Sequence, residues 1–157
     1  MFKKILVCLD GSPLAEAILP YTIEQARHFA AELVLFRAVS ESPAISLAMP
    51  GMPGVPIETR RGEKRLIEDE QAAETYLKSV AEKIQAETQL KVTYDTEFGV
   101  PGPAIIDYAG KNAIEMIAIA THGRSGPGRI VLGSVADHII RHATIPILLI
   151  RPAAGNA

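Results

Sequence analysis

The segment Ala120–Ser134 reads ATHGRSGPGRIVLGS, and its residue types are the ones best suited to chemistry in this chain. It holds four glycines, two arginines and no acidic residue. An apolar, strand-like run precedes it, and a helical pattern starts at Gly133-Ser134. A helix N-terminus presents backbone N–H groups without partners at the positive end of the helix dipole. Such a loop suits an anion, and a phosphate above all. Glycines let backbone approach a phosphate with no Cβ in the way. Ser134 adds a hydroxyl, and Arg124 and Arg129 add positive charge. The bland reading of the same residues is that the glycines turn the chain and Ser134 caps the helix.

Other chemistries fit less well. The loop lacks the Gly-Lys-Ser/Thr ending of a Walker A loop. The first strand is followed by Asp10-Gly11-Ser12, too short for a dinucleotide G-x-G-x-x-G turn. His122 sits in the loop, either packing the turn or touching a ligand. His138 and His142 are four apart on one helix, as in a metal pair, but no Cys, Asp or Glu at a suitable spacing completes a site. Neither a Ser-His-Asp set nor a carboxylate pair can be assembled from the sequence. Cys8 lies in the apolar run Ile5–Leu9 and reads as a small hydrophobe. As the one cysteine, it permits no internal disulfide.

The elements that must position the loop follow from periodicity. Ile5–Leu9 is wholly apolar, as expected of a strand buried on both faces. Ser12 and Pro13 read as the N-cap and first position of a helix, and Pro20 predicts a kink within it. Ala15, Ile18, Leu19, Thr22, Ala26 and Phe29 form its core stripe. Leu33–Val39 is a second strand. Residues 40–63 are rich in Pro and Gly and predict an insertion or a lid loop. A long helix is expected over Lys64–Thr88, with Ala73, Tyr76, Leu77, Val80, Ala81 and Ile84 inward. Then come a strand over Leu90–Glu97 near a sheet edge, a short helix opening at Gly102-Pro103, and a strand over Ile114–Ala120. After the loop follow a helix over Ser134–His142 and a strand over Ile147–Ile150.

Strands alternating with helices predict an α/β fold: one open, Rossmann-like five-stranded parallel sheet with helices on both faces, and the common reversal of such sheets gives the expected strand order 3-2-1-4-5. The expected domain spans residues 1–152, with a flexible tail at 153–157. In that order the ends of the first and fourth strands meet where the connections reverse, which is where open parallel sheets bind ligands. Asp10 and the glycine loop then share one end of the sheet. The last strand lies at an edge, and a bare apolar edge favours pairing with a second copy about a twofold axis.

Hydrophobic residues make up 48% of the 157, enough to build one folded domain. A net charge of −2 gives no footprint for nucleic acid or an anionic membrane. The apolar run after Met1-Phe2-Lys3-Lys4 is too short for a signal peptide, and no stretch is long enough to span a membrane. A cytoplasmic location is expected.

The start Lys4-Ile5-Leu6-Val7-Cys8-Leu9-Asp10-Gly11-Ser12, the Ala-Thr-His-Gly-Arg-Ser-Gly segment and the ending from Gly133-Ser134-Val135-Ala136 to Pro146-Ile147-Leu148-Leu149-Ile150-Arg151-Pro152 together resemble a UspA-like universal stress protein domain, of the adenine-nucleotide α-hydrolase-like superfamily. The resemblance covers nearly the whole chain. Its ATP-binding branch carries the motif G-x2-G-x9-G-S/T, which Gly123 and Gly133-Ser134 match; Ala120 stands where the motif has its first glycine. The resemblance implies ATP as ligand, possible Mg²⁺ on its phosphates, and a homodimer. It implies that Gly123, Gly133, Ser134 and Val135 face the phosphates, that Asp10 meets the adenosine and that Val39 lines the adenine. Leu9, Ala120, His122 and Arg124 complete the expected binding set. The function so implied is nucleotide-dependent regulation in a stress response through an unknown protein partner. Two alternatives stand beside it: a dimerisation module without nucleotide, and a slow ATP hydrolase, for which the only candidate groups are His122, Asp10 and the loop arginines.

Overall fold

A computed structural model describes residues 1–40, 57–121 and 132–152. Five strands, β1 (Lys4–Cys8), β2 (Glu32–Val39), β3 (Val92–Phe98), β4 (Met116–Ala120) and β5 (Ile147–Ile150), form one sheet in the order β3-β2-β1-β4-β5. All four pairings are parallel, with Cys8 beside Phe36, Val7 beside Ala118 and Ala120 beside Ile150. This is the architecture and strand order that the alternation of elements predicts.

Side chains leave successive strand positions on opposite faces, and the two cores divide accordingly. Ile5, Val7, Leu33, Leu35 and Ala118 face one layer of helices: α1 (Pro13–Glu16), α2 (Leu19–Phe29) and α3 (Ile57–Glu87). Leu6, Cys8, Val34, Phe36, Ile117 and Ile119 face the other: α4 (Pro101–Lys111) and α5 (Ser134–His142). Of the expected inward stripe of α3, Ala73, Leu77, Val80, Ala81 and Ile84 are buried and Tyr76 is half-buried.

Three local findings refine the expectations. Pro20 does more than kink its helix. It lacks an N–H and clashes with the carbonyl four residues back, so the chain breaks into α1 and α2 through tight turns, with Ala17 N–H on Leu14 and Ile18 N–H on Ala15. The Ser12 hydroxyl caps α1 by accepting from Ala15 N–H at 3.1 Å. The helix expected from Lys64 starts instead at Ile57, so the C-terminal end of the 40–63 segment is helical. Glu58, Arg60 and Arg61 favour helix, and Gly62 costs only about 1 kcal/mol inside one. The rest of that segment, residues 41–56, lies outside the described residues, as does the expected tail at 153–157. The fourth strand begins at Met116, because Ala113 turns left-handed (φ 52) and Ile114 N–H closes the end of α4 on the Ala109 carbonyl.

Candidate functional site

The carboxyl ends of β1, β2 and β4 open into a cavity of about 330 Å³ at the point where the strand order reverses. Its floor is apolar: Cys8, Phe36, Ala38, Ile105 and Ile119. The β1–α1 turn forms one lip and the start of α5 the other. Among the described residues, Leu9, Asp10, Ala120, Gly133, Ser134 and Val135 of the expected set line this space. Val39 does not. It is buried on the face opposite Ala38, and Ala38 takes the wall position, because strand positions alternate and Phe36 and Ala38 share a face. His122, Gly123, Arg124 and Arg129 lie outside the described residues. Leu14, Phe36, Pro101, Ile105 and Thr121 are wall residues that sequence reasoning did not single out. Phe36 was findable from the alternation of β2; Pro101 and Ile105 come from α4, distant in sequence from the strands they cover, and leave no local signal.

On the β1 lip, Asp10 is exposed and its Oδ1 accepts from Ser12 N–H at 2.8 Å. Oδ2 has no protein donor among the described residues. Gly11 has φ +88, a conformation that side chains rarely adopt. The other lip is built by Thr121. This buried residue donates its N–H to the Ile150 carbonyl at 2.9 Å, and its Oγ1 accepts from Gly133 N–H at 3.2 Å. The Gly133 N–H is therefore already engaged. The next three, on Ser134, Val135 and Ala136, belong to the first turn of α5 and have no intrahelical partner.

Among the described residues nothing in the packing around Gly133 requires a glycine. Its φ is −59 and its ψ 153, open to any residue, and an added Cβ would meet only Thr121 Oγ1, at 3.8 Å, among the described residues. Gly102, at the start of α4, is the opposite case: a Cβ there would come within 2.8 Å of His138 Cβ and Cγ. One glycine packs two helices together; the other keeps space clear at the cavity.

Burial pushes the Cys8 thiol up to about 12, so it is neutral at pH 7 and serves as wall, as its apolar neighbours predict. Among the described lining residues Asp10 is the one carboxylate, and no Lys, Arg or His joins it. His138 and His142 stack at 4.1 Å, and no group of three metal-binding side chains occurs among the described residues. A larger hollow, about 880 Å³, lies at the amino ends of the strands beside Lys3, Arg27, Glu32 and Lys91. There Lys91 is paired with Glu32 at 3.0 Å, and Arg27 with Glu24 at 2.7 Å.

A parallel doubly wound sheet with an apolar cavity at its switch point, an acceptor on one lip and, among the described residues, unpartnered helix N–H groups on the other is an α/β domain with the arrangement at which open parallel sheets take ligands. Residues 1–151 match the model of the universal stress protein family, and the chain belongs to that family. It is 31% identical over 151 residues to the universal stress protein MJ0531 of Methanocaldococcus jannaschii, covering 96% of this chain and 83% of that one. In structure it is similar to the universal stress protein UspA from Lactobacillus plantarum, with a TM-score of 0.76, 22% identity and coverage of 96% and 98% of the two chains. It is also similar to a universal stress protein solved in complex with cAMP, with a TM-score of 0.66, 15% identity and coverage of 96% and 97%.

Proposed function

We propose that this chain is an ATP-binding universal stress protein that regulates a partner according to its nucleotide state, as a homodimer in the cytoplasm. The observation that carries the reading is Gly133: a glycine whose Cβ position is clear among the described residues, at the head of a helix whose next three N–H groups have no partner among those residues, on the rim of an apolar cavity. A phosphate uses that clearance and those donors. The apolar floor suits a purine, and Asp10 on the opposite lip suits a hydroxyl or amino group, since it would repel a phosphate. The cAMP complex of a structural relative agrees with an adenine nucleotide as the class. Asp10 is the only carboxylate among the described lining residues, so Mg²⁺ would ride on the phosphates and not on a protein cluster. At the sheet edge, Ile147 to Ile150 are each partly exposed and β5 has no neighbour on its outer side among the described residues, which favours pairing with a second copy.

Calorimetric titration of nucleotide-stripped protein with ATP and Mg²⁺, beside Gly133→Val, tests this. Micromolar binding that the variant loses is the expected result. No binding by the native chain would overturn it. The second reading, a dimerisation module without nucleotide, is favoured by one feature: Ala120 places a methyl on the cavity wall where the motif has glycine.

A further inference from the structure

Behind the Asp10 lip stands a cation that does not line the cavity. Arg37 leaves β2 on the face opposite Phe36 and Ala38, toward α1 and α3. Its guanidinium packs against the Cα side of Gly11. A Cβ built on Gly11 would lie 3.1 Å from Nη1, 3.6 Å from Cζ and 3.9 Å from Nη2. On its other side Cζ sits 5.8 Å from the centre of the Tyr76 ring, a cation–π contact. Tyr76, from α3, donates its hydroxyl to Glu16 Oε1 at 2.9 Å. Burial first, then the charges of Glu16 and Asp10, push the Tyr76 hydroxyl up, and Arg37 opposes them, so these groups share one electrostatic neighbourhood. A continuous stack thus runs from α3 through Tyr76 and Arg37 to Gly11, the residue after Asp10. Gly11 is doubly constrained: a side chain would be strained at φ +88 and would displace the guanidinium.

We propose that Arg37 is a positioning residue: braced on Tyr76, it holds the Asp10–Gly11–Ser12 turn from behind so that Oδ2 of Asp10 faces the nucleoside part of the bound nucleotide. This rests on the nucleotide reading above. Arg37 touches no ligand and acts through Asp10.

The test is calorimetry with adenosine and with ATP on the native protein, Arg37→Met, Asp10→Asn and the double variant, with melting curves for each. Arg37→Met is expected to weaken adenosine and ATP by the same factor, roughly tenfold, because the loss sits at the nucleoside end. The double variant is expected to bind no more weakly than Asp10→Asn alone, since nothing remains for Arg37 to position. Arg37→Lys, which keeps charge and stem but not the planar group, is expected to recover part of the loss, and it serves should Arg37→Met fold poorly. Losses that multiply in the double variant would show that Arg37 supports the fold only and overturn the inference. So would full affinity in Arg37→Met, which leaves the nucleotide reading standing. If the native protein binds neither ligand, the nucleotide reading fails and this inference falls with it.

Discussion

The hydroxyl of Thr121 accepts the backbone N–H of Gly133 at 3.2 Å, while the N–H of Thr121 donates to the Ile150 carbonyl at 2.9 Å. One buried residue at the end of β4 thus ties both the start of α5 and the end of β5. Thr121→Val keeps the shape and removes the acceptor. It is expected to cost about 1 kcal/mol, read as a lower denaturant midpoint with an unchanged slope. A variant as stable as the native chain would show that this tie contributes nothing.

Gly133 separates fold from ligand. Since its backbone suits any residue and its Cβ position is clear, Gly133→Ala should leave stability within about 0.5 kcal/mol. Nucleotide affinity should fall with Ala and fall further with Val. A melting point that drops in step with affinity would contradict this division.

Gly102 behaves the other way. Gly102→Ala pushes a methyl to 2.8 Å from His138, so α4 and α5 must part. The expected cost is about 1–3 kcal/mol. Adding His138→Ala removes the ring atoms but leaves Cβ, and should recover part of the stability and not all of it. The comparison needs only thermal or denaturant melts of three variants.

Two alanines sit in the left-handed region, Ala30 at the end of α2 and Ala113 after α4, both at φ 52. Glycine fits there without strain. Each Ala→Gly change is expected to stabilise by about 0.5 kcal/mol, the relief of strain being partly offset by the freer unfolded chain. Calorimetric melting should show a rise of roughly 1–2 °C for each; a fall would mean that the alanine methyls make contacts worth more than the strain.

Glu32 makes stability depend on acid. Burial raises its carboxyl pKa, but hydrogen bonds from Lys91 and Thr93 and the charges of Lys91 and Lys4 outweigh that and hold it below 4.5. A depressed folded value stabilises above the unfolded one and is lost as pH falls through the folded one. Glu32→Gln should therefore lower stability at pH 7 and flatten its decline below pH 4.5. Equal acid slopes for native and variant protein would refute this.

Much of this was legible in the sequence. The parallel sheet followed from alternation of elements and its strand order from the usual reversal of such sheets, and the bounds of α5 and β5 fell where expected, although Gly133 and not Ser134 is the N-cap of α5. What escaped was tertiary. Ala38, and not Val39, reaches the cavity because a one-residue shift in a strand changes the face. Gly102 looked like an ordinary helix opener, and only the approach of His138 explains it. Arg37 carries no local signal at all; its reason lies on α3 and the β1–α1 turn, both distant in sequence.

All five strands run the same way, and among the described residues nothing pairs with the outer side of β5. A second copy meeting β5 about a twofold axis must run against it, so the carboxyl ends of the two sheets would point in opposite directions. The two cavity mouths would then look away from each other. No flat surface could inspect both at once: a reader of the pair would have to wrap around its ends, or sense the occupants through the shared seam.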